Sequence, residues 1–353
     1  MIKRRKTKTI KIGAVKIGGE SPISIQSMSK TETRDINSTV KQIKVLERAG
    51  CQIVRVAVKN MDCAQALDKI KSKIGIALVA DIHFNYQLAL EAIKRGVDGI
   101  RLNPGNIYRR EEVKEVVRLA KKNKIPIRVG INAGSLRTKQ SADLMVKSAQ
   151  AYIKMLEGFG FYDIIVSLKA SDVLTTVKAY RKLAGLSSYP FHLGITASGL
   201  PEQGTIKSAL AIGSLLLDGI GDTVRVSLTG PPEQEVEVAK DILQALGLRN
   251  FGPEIISCPT CGRTQVDIAS IVQEITTRLH GRRRTSGGAG PRKLAIMGCE
   301  VNGPGEARDA DLGVACGKGS AVLFKKGKIV KRITQNQIVN SIMHEFKGQS
   351  LEE

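Results

Sequence analysis

The 353-residue chain contains no tryptophan, aromatic residues make up only 4% of it, and histidine occurs four times. So few aromatics leave little on which unpaired bases can stack, which argues against a single-strand nucleic-acid binder. No apolar run reaches the ~18 residues of a membrane-spanning helix. The basic start, Met1 to Lys11, leads into alternating polar and apolar residues. It has neither an apolar h-region nor a small-residue cleavage site, so a cytoplasmic location is expected. Acidic residues are also short, 33 against 55 basic ones, for a formal net charge of +22. That excess favours anionic partners such as nucleic acid, phosphorylated metabolites or an acidic protein, although Lys121–Lys122 and Lys325–Lys326 also serve plain solubility. No Gly-x-Gly-x-x-Gly turn follows the first strand-like run, which removes the dinucleotide-binding signature. A radical-type Cys-x-x-x-Cys-x-x-Cys run is absent as well.

Six cysteines are present, and in a cytosolic chain they do not read as a disulfide framework. Cys51 and Cys63 lie in apolar segments and read as small core residues. Cys258, Cys261, Cys299 and Cys316 all fall in the last hundred residues, the mark of a separate metal-binding unit.

From residue 22 to about 228 one pattern repeats: a short apolar run ending in polar residues, then a helical stretch. The runs are ISIQSM (23–28), IVRVAV (53–58), IALVADIH (76–83), GIRLN (99–103), PIRVGIN (126–132), DIIVSLK (163–169), FHLGIT (191–196) and DTVRVSL (222–228). Eight such units predict an α/β fold of the (β/α)8 TIM type, over residues 1–250. After Pro253 the texture changes. A Cys-x-x-Cys turn precedes a predicted helix from Val266 to Leu279, an Arg- and Gly-rich loop spans 281–292, and KLAIMG (293–298) leads to Cys299. A hairpin (321–332) and a terminal helix follow. Residues 251–353 are therefore expected to form a second, smaller α/β domain.

Active sites of such barrels lie at the carboxyl ends of the strands. Those ends carry Arg55, Asp81 with His83, Arg101 with Asn103, Arg128 with Asn132, Lys169, and Arg225 with Ser227. Singly, each has an ordinary structural reading. Together, four arginines and a lysine repel one another unless an anion sits among them, and guanidinium geometry matches phosphate oxygens. Asp81 and His83, two apart on a strand, share a face and suit hydroxyl orientation or proton transfer.

In the second domain Cys258, Cys261 and Cys299 suit Zn²⁺ or an iron–sulfur cluster. A closed Cys₄ zinc site would take Cys316 as fourth ligand. The segment EVNGPGEA (300–307) offers another: a tight Gly-Pro-Gly turn presenting Glu306. Three thiolates with one exchangeable oxygen ligand suit a 4Fe-4S cluster better than a structural zinc.

The motifs SCPTCGR (257–263), MGCEVNGPGEA (297–307), ADIHF (80–84), RLNPGN (101–106), RVGINAGSL (128–136), SLKASD (167–172), HLGIT (192–196) and DGIGDTVRVSL (218–228) resemble those of the bacterial 4-hydroxy-3-methylbut-2-en-1-yl diphosphate synthase family. The resemblance covers nearly the whole chain. It implies a barrel joined to a small ferredoxin/sulfite-reductase-like domain holding a 4Fe-4S cluster on Cys258, Cys261, Cys299 and Glu306. It implies reductive opening of 2-C-methyl-D-erythritol 2,4-cyclodiphosphate, with electrons from flavodoxin or ferredoxin. It also implies a homodimer in which the cluster domain of one subunit closes the barrel of the other. Arg55, Arg101, Arg128, Lys169 and Arg225 would grip the diphosphate, and Asp81, His83, Asn103, Asn132, Thr196 and Ser227 fall at substrate-pocket positions.

One departure matters. Where the family reads Gly-Ile-Thr-Glu-Ala-Gly, with the Glu as proton donor, this chain reads Gly-Ile-Thr-Ala-Ser-Gly and has Ala197. Glu202, in what reads as the same loop, is the expected substitute; water ordered by His83 is another. A weakened or repurposed family member that keeps cluster and ligand but lacks the acid is the alternative function. A zinc-stabilised basic barrel bound to nucleic acid is the remote one. Cys316, where the family is glycine-rich, reads as a bystander.

Overall fold

The computed structural model describes residues 2–135, 141–280, 293–301 and 303–348; the Arg- and Gly-rich stretch 281–292 lies outside them. The chain divides into two compact units, Met1–Arg249 and Asn250–Glu353.

The first unit is a barrel preceded by a small hairpin, β1 (Ile10–Ile12) with β2 (Val15–Ile17). Its eight strands are β3 (Ser24–Met28), β4 (Ile53–Val58), β5 (Ala77–Ile82), β6 (Gly99–Leu102), β7 (Ile127–Asn132), β8 (Ile164–Lys169), β9 (His192–Leu193) and β10 (Thr223–Val224). Between them run α1 (Ile36–Arg48), α2 (Met61–Gln65), α3 (Leu67–Lys71), α4 (Tyr86–Lys94), α5 (Arg110–Asn123), α6 (Ala142–Gly158), α7 (Val173–Ala184) and α8 (Pro201–Leu217), with α9 (Pro232–Ala245) after β10. The strands pair in parallel in the order β8-β7-β6-β5-β4-β3-β10-β9, and a parallel bridge from Val166 to Phe191 joins the two ends.

Local chemistry sets these elements. The strands are buried on both faces, so they read as apolar runs; all six residues of β8 are buried. Helix starts are fixed by side chains that accept a backbone N–H: Asp35 from Ser38, Asn85 from Gln87, Ser141 from Leu144 and Asp172 from Thr175. On α5 the buried residues Val113, Val116, Val117 and Ala120 form one stripe at helical spacing.

Two features depart from the sequence reading. The lower interior of the barrel is closed by the hairpin: Ile10, Ile12 and Ile17 pack with Ile53, Ala77, Val79 and Ile165. Strands of three residues are too short to show a period, so residues before 22 were not read as structure. Also, β9 and β10 cover two residues each, not the six and seven expected. Side chains stitch their seams instead. The Tyr180 hydroxyl accepts from Leu168 N–H on β8 and donates to the His192 carbonyl on β9. The Glu235 carboxylate accepts from Ser27 on β3 and from the Leu228 N–H beyond β10.

The second unit holds a five-stranded sheet in sequence order: β11 (Glu254–Ser257), β12 (Lys293–Met297), β13 (Leu312–Cys316), β14 (Ser320–Lys325) and β15 (Lys328–Thr334). The first three are mutually parallel and the last three antiparallel. Helices α10 (Ile268–His280) and α12 (Ile338–Gly348) contribute Ile268, Ile275, Ile338 and Ile342 to one core against Leu294, Val314 and Leu323. Helix α11 (Gly303–Arg308) packs through Ala307 on the cluster of Ala295, Met297 and Ala315. The Gly-Pro-Gly segment is thus not a free turn but the first turn of α11. Proline is accepted there because its missing N–H has no helical partner to lose.

Among the described residues no helix is long and apolar enough to cross a membrane.

Candidate active site

Strand period and register bring the predicted mouth residues together. Asp81 at the end of β5 is buried, and its carboxylate pairs with Arg101 Nη1 at 3.0 Å and Arg55 Nε at 3.5 Å. His83, just past the strand, places Nε2 3.6 Å from the same carboxylate. Burial pushes the Asp81 carboxyl up, but Arg55, the His83 imidazole, Arg101 and Arg128 outweigh it and hold it well below the usual carboxylate range. Arg101 also donates to the Gly130 carbonyl at 2.8 Å; a Cβ on Gly130 would overlap that guanidinium, so β7 needs glycine there. Arg128 donates to Gln26 on β3, and Arg225 lies 3.4 Å from Glu235.

Lys169 is buried beside Gly194, which has φ +150; a side chain on Gly194 would overlap the lysine amine and the Arg225 carbonyl. Burial, then Arg225, Arg128, Arg55 and Arg101, press the Lys169 pKa well below its usual value; burial, then Arg55, Arg101 and Arg225, depress Arg128 against the opposing pull of Asp81. Burial also lowers Arg55 to about 10 despite Asp81.

Arg55, Arg101, Arg128, Lys169 and Arg225 face only two carboxylates, Asp81 and Glu235, and Glu235 is shared with Lys30, so positive charge is in surplus. Arg101 Nε, Arg128 Nε and Nη2, and Arg225 Nε are buried without a hydrogen-bond partner among the described residues. Donors of that kind need an acceptor. Asn103, whose Oδ1 accepts from the Gly105 N–H at 3.0 Å, lines with Gly105, Tyr108, Ile131, Ser135 and Ser148 a cavity of about 220 Å³. Asn132 and Thr196 are half-buried at the ends of their segments, and the Thr196 N–H donates to the Ala170 carbonyl. Ser227 is half-buried, and its carbonyl accepts from the Ser198 hydroxyl.

Two non-glycine residues at the mouth sit in the left-handed region, Phe84 at φ +58 and Ala197 at φ +49. Such strain is stored at functional loops more often than elsewhere. Glu202 is not in that loop. It is the second residue of α8, behind Pro201, and it is exposed. Proline at the first helical position starts the helix earlier than the loop reading allowed.

Four contributors escaped the sequence reading: Gln26, Tyr180, His192 and Glu235. Period two in FHLGIT, taken down from Thr196, already put His192 on the inner face. Glu235 gave no such signal, because it lies on a helix among other acidic residues.

In the second unit, parallel register sets the ends of β11, β12 and β13 along one edge. Cys258 follows β11, Cys299 lies just past β12, and Cys316 ends β13. Cys261 is exposed on the turn after Cys258, and Glu306 is exposed on α11. The Gly298 N–H points at Cys258 Sγ from 3.3 Å. Among the described residues no three His, Cys, Asp or Glu side chains already stand at metal-binding separation. The donor chemistry still fits an iron–sulfur cluster: three thiols outside any disulfide at and just beyond one sheet edge, with a carboxylate on the helix that follows. Cys316 differs. Burial, then nearby Cys258, push its thiol up to about 11, so it stays protonated at neutral pH. Cys51 and Cys63 are buried in the barrel unit.

With this geometry in place, comparison with known proteins is decisive. Residues 7–240 match the model of the GcpE TIM-barrel domain, and residues 254–348 match that of the GcpE protein C-terminal domain. The chain belongs to the GcpE family. A relative from Thermodesulfovibrio yellowstonii named 4-hydroxy-3-methylbut-2-en-1-yl diphosphate synthase (flavodoxin) is 51% identical, over 98% of this chain and 100% of its own length. A relative of the same name from Fusobacterium nucleatum is 50% identical over 96% of each chain. Among solved structures, Yersinia pestis dihydropteroate synthase is similar with a TM-score of 0.52 and 11% identity, over 68% of this chain and 98% of that one. At that identity the likeness speaks to the barrel fold alone.

Proposed function

We propose that this chain is an oxidoreductase of the non-mevalonate isoprenoid pathway. It opens 2-C-methyl-D-erythritol 2,4-cyclodiphosphate reductively to (E)-4-hydroxy-3-methylbut-2-enyl diphosphate. The observation that carries the reading is the barrel mouth, whose surplus of positive charge, and whose guanidinium N–H groups without a hydrogen-bond partner among the described residues, call for a polyanionic ligand. A cyclic diphosphate meets that demand. The names of relatives half identical over the full length support the same reaction, and the flavodoxin in those names supports flavodoxin, or a ferredoxin in its place, as electron donor.

Arg55, Arg101, Arg128, Lys169 and Arg225 bind the phosphate oxygens, and Asn103, Asn132, Thr196 and Ser227 orient the carbon skeleton and its hydroxyls. Asp81 holds His83 and two of the arginines in place. With Ala197 where the related motif has Glu, the proton falls to the Asp81–His83 pair or to Glu202. The pair touches the mouth cations directly, whereas Glu202 reaches the substrate only from the exposed start of α8. Cys258, Cys261, Cys299 and Glu306 would hold a 4Fe-4S cluster, which when bound supplies single electrons that no side chain provides. The enzyme works in the cytoplasm as a homodimer. The exposed apolar stripe of Ile206, Leu210 and Leu217 along α8 supports association with a second copy, and analytical ultracentrifugation tests it.

The test of the reaction is product formation from the cyclic diphosphate by anaerobically reconstituted protein, with dithionite and a viologen as reductant. Turnover establishes the proposal. Full cluster loading without product, in the parent and in Ala197→Glu alike, refutes it.

A further inference from the structure

His192 on β9 is 1% exposed, and neither of its ring nitrogens has a hydrogen-bond partner among the described residues. Its ring lies among the mouth cations, with Lys169 the strongest charged influence on it, and the Lys169 amine also sits against Gly194 two residues on. Parallel pairing sets His192 level with Thr223, and Thr223 level with Ser24. Both of those hydroxyls are likewise buried without a partner. Three strands therefore carry a row of unsatisfied polar groups, one pleat below Arg225 and Gln26. Interior layers of such barrels are normally filled by branched apolar side chains. A polar row in that position implies something to bind.

The charged groups facing the ring come from every side. Lys169 approaches from β8, Arg128 from β7, Arg55 from β4 and Arg225 from β10, with the Asp81–Arg101 pair beyond them on β5 and β6. Behind the strand, the Tyr180 hydroxyl donates to the His192 carbonyl and the Asp222 carboxylate accepts from the Phe191 N–H. Burial, then Lys169, Arg128, Arg55 and Arg225, hold the imidazole neutral. An anion among those four cations would cancel their field at the ring.

We propose that His192 is a further ligand-binding residue of this mouth: when a diphosphate occupies the cations above it, the imidazole takes one proton from solvent and joins them as a sixth positive charge. One N–H bond forms at the imidazole as the buffer acid gives up that proton, and no bond between heavy atoms changes. The inference rests on the reading of the mouth as a diphosphate site.

The test is calorimetric titration of the full, anaerobically reconstituted chain with inorganic pyrophosphate, in two buffers of different ionisation enthalpy. On binding at pH 6.5 wild type takes up more protons per chain than His192→Gln, and the difference isolates the imidazole from protons that pyrophosphate and Lys169 exchange themselves. The affinity of His192→Gln falls by about tenfold at pH 6.5 but matches wild type at pH 9, a pH split that a packing defect would not produce. Equal uptake by the two proteins when both bind overturns the proposal. Wild type that does not bind pyrophosphate at all refutes the diphosphate site first. Nitrogen-15 histidine spectra give a second readout that needs no fold-sensitive change at position 192. In a His83→Gln background, the one remaining mouth histidine must pass from neutral to imidazolium at saturation; a ring still neutral there sinks the idea.

Discussion

Replacing Glu235 by glutamine is expected to loosen the barrel where its sheet is least continuous. The carboxylate is 1% exposed and accepts from Ser27 Oγ and Leu228 N–H, each at 3.1 Å. It also lies 3.2 Å from Lys30 Nζ and 3.4 Å from Arg225 Nη2. Glutamine keeps the volume but has one acceptor oxygen, and its amide N–H groups meet donors. Losing one partner of a buried ion pair costs ~3–5 kcal/mol. Lys30 is 34% exposed and the Arg225 contact is long, which places the cost at the lower end, about 3 kcal/mol. For a unit of this size each kcal/mol lowers the melting temperature by roughly 2–4 °C, so a fall of about 6–12 °C is expected. Thermal unfolding followed by circular dichroism at pH 7.5, without ligand, measures it. Glu235→Asp should recover part of the loss by keeping the charge. A Glu235→Gln protein that melts within about 2 °C of the parent would refute the view that this carboxylate closes the β3–β10 seam.

Asp81 makes stability depend on pH with a definite sign. Its folded carboxyl titrates below the unfolded one, so its contribution is complete above the unfolded value of ~3.9 and disappears as pH falls toward the lower folded value. Urea midpoints of the parent should therefore drop more steeply below about pH 4 than those of Asp81→Asn; equal slopes would show that the ion pairs contribute nothing. Glu202→Gln should lower turnover and move the acid limb of its pH profile; an unchanged profile removes Glu202 from the proton path. Ala197→Glu should raise turnover by about tenfold or more, within the range that a positioned acid supplies. Cys258→Ala, Cys261→Ala and Cys299→Ala should each lose most of the iron after reconstitution, whereas Cys316→Ala should keep it, because Cys316 ends β13 with its side chain fully buried. Iron lost equally in Cys316→Ala would move the fourth ligand from Glu306 to Cys316.

The departures from the sequence reading share one physical cause. The six strands from β3 to β8 were readable because burial on both faces leaves continuous apolar runs ending in charge, as at Arg55, Asp81 and Lys169. The ends of β9 and β10 were misread because their apolar runs do not form a ladder there. The backbone opens at Gly194, and the missing strand pairing is replaced by the Tyr180 hydroxyl and the Glu235 carboxylate, which reach in from helices α7 and α9. Such long-range substitutes leave no local period. The mouth cations were found because a charge at the end of an apolar run is a local signal. The groups that compensate them were missed because Gln26 lies inside a run and Glu235 lies on a helix. The same division separates Glu306 from the cysteines: Cys-x-x-Cys spacing is local, but whether a carboxylate on α11 faces that edge depends on how the helix packs on β12 and β13. Placing so much positive charge in a barrel whose seam is side-chain-made has a consequence. Without an anion, repulsion among Arg55, Arg101, Arg128, Lys169 and Arg225 acts on the most weakly laddered strands, so ligand binding should tighten β9 and β10 more than any other part of the barrel.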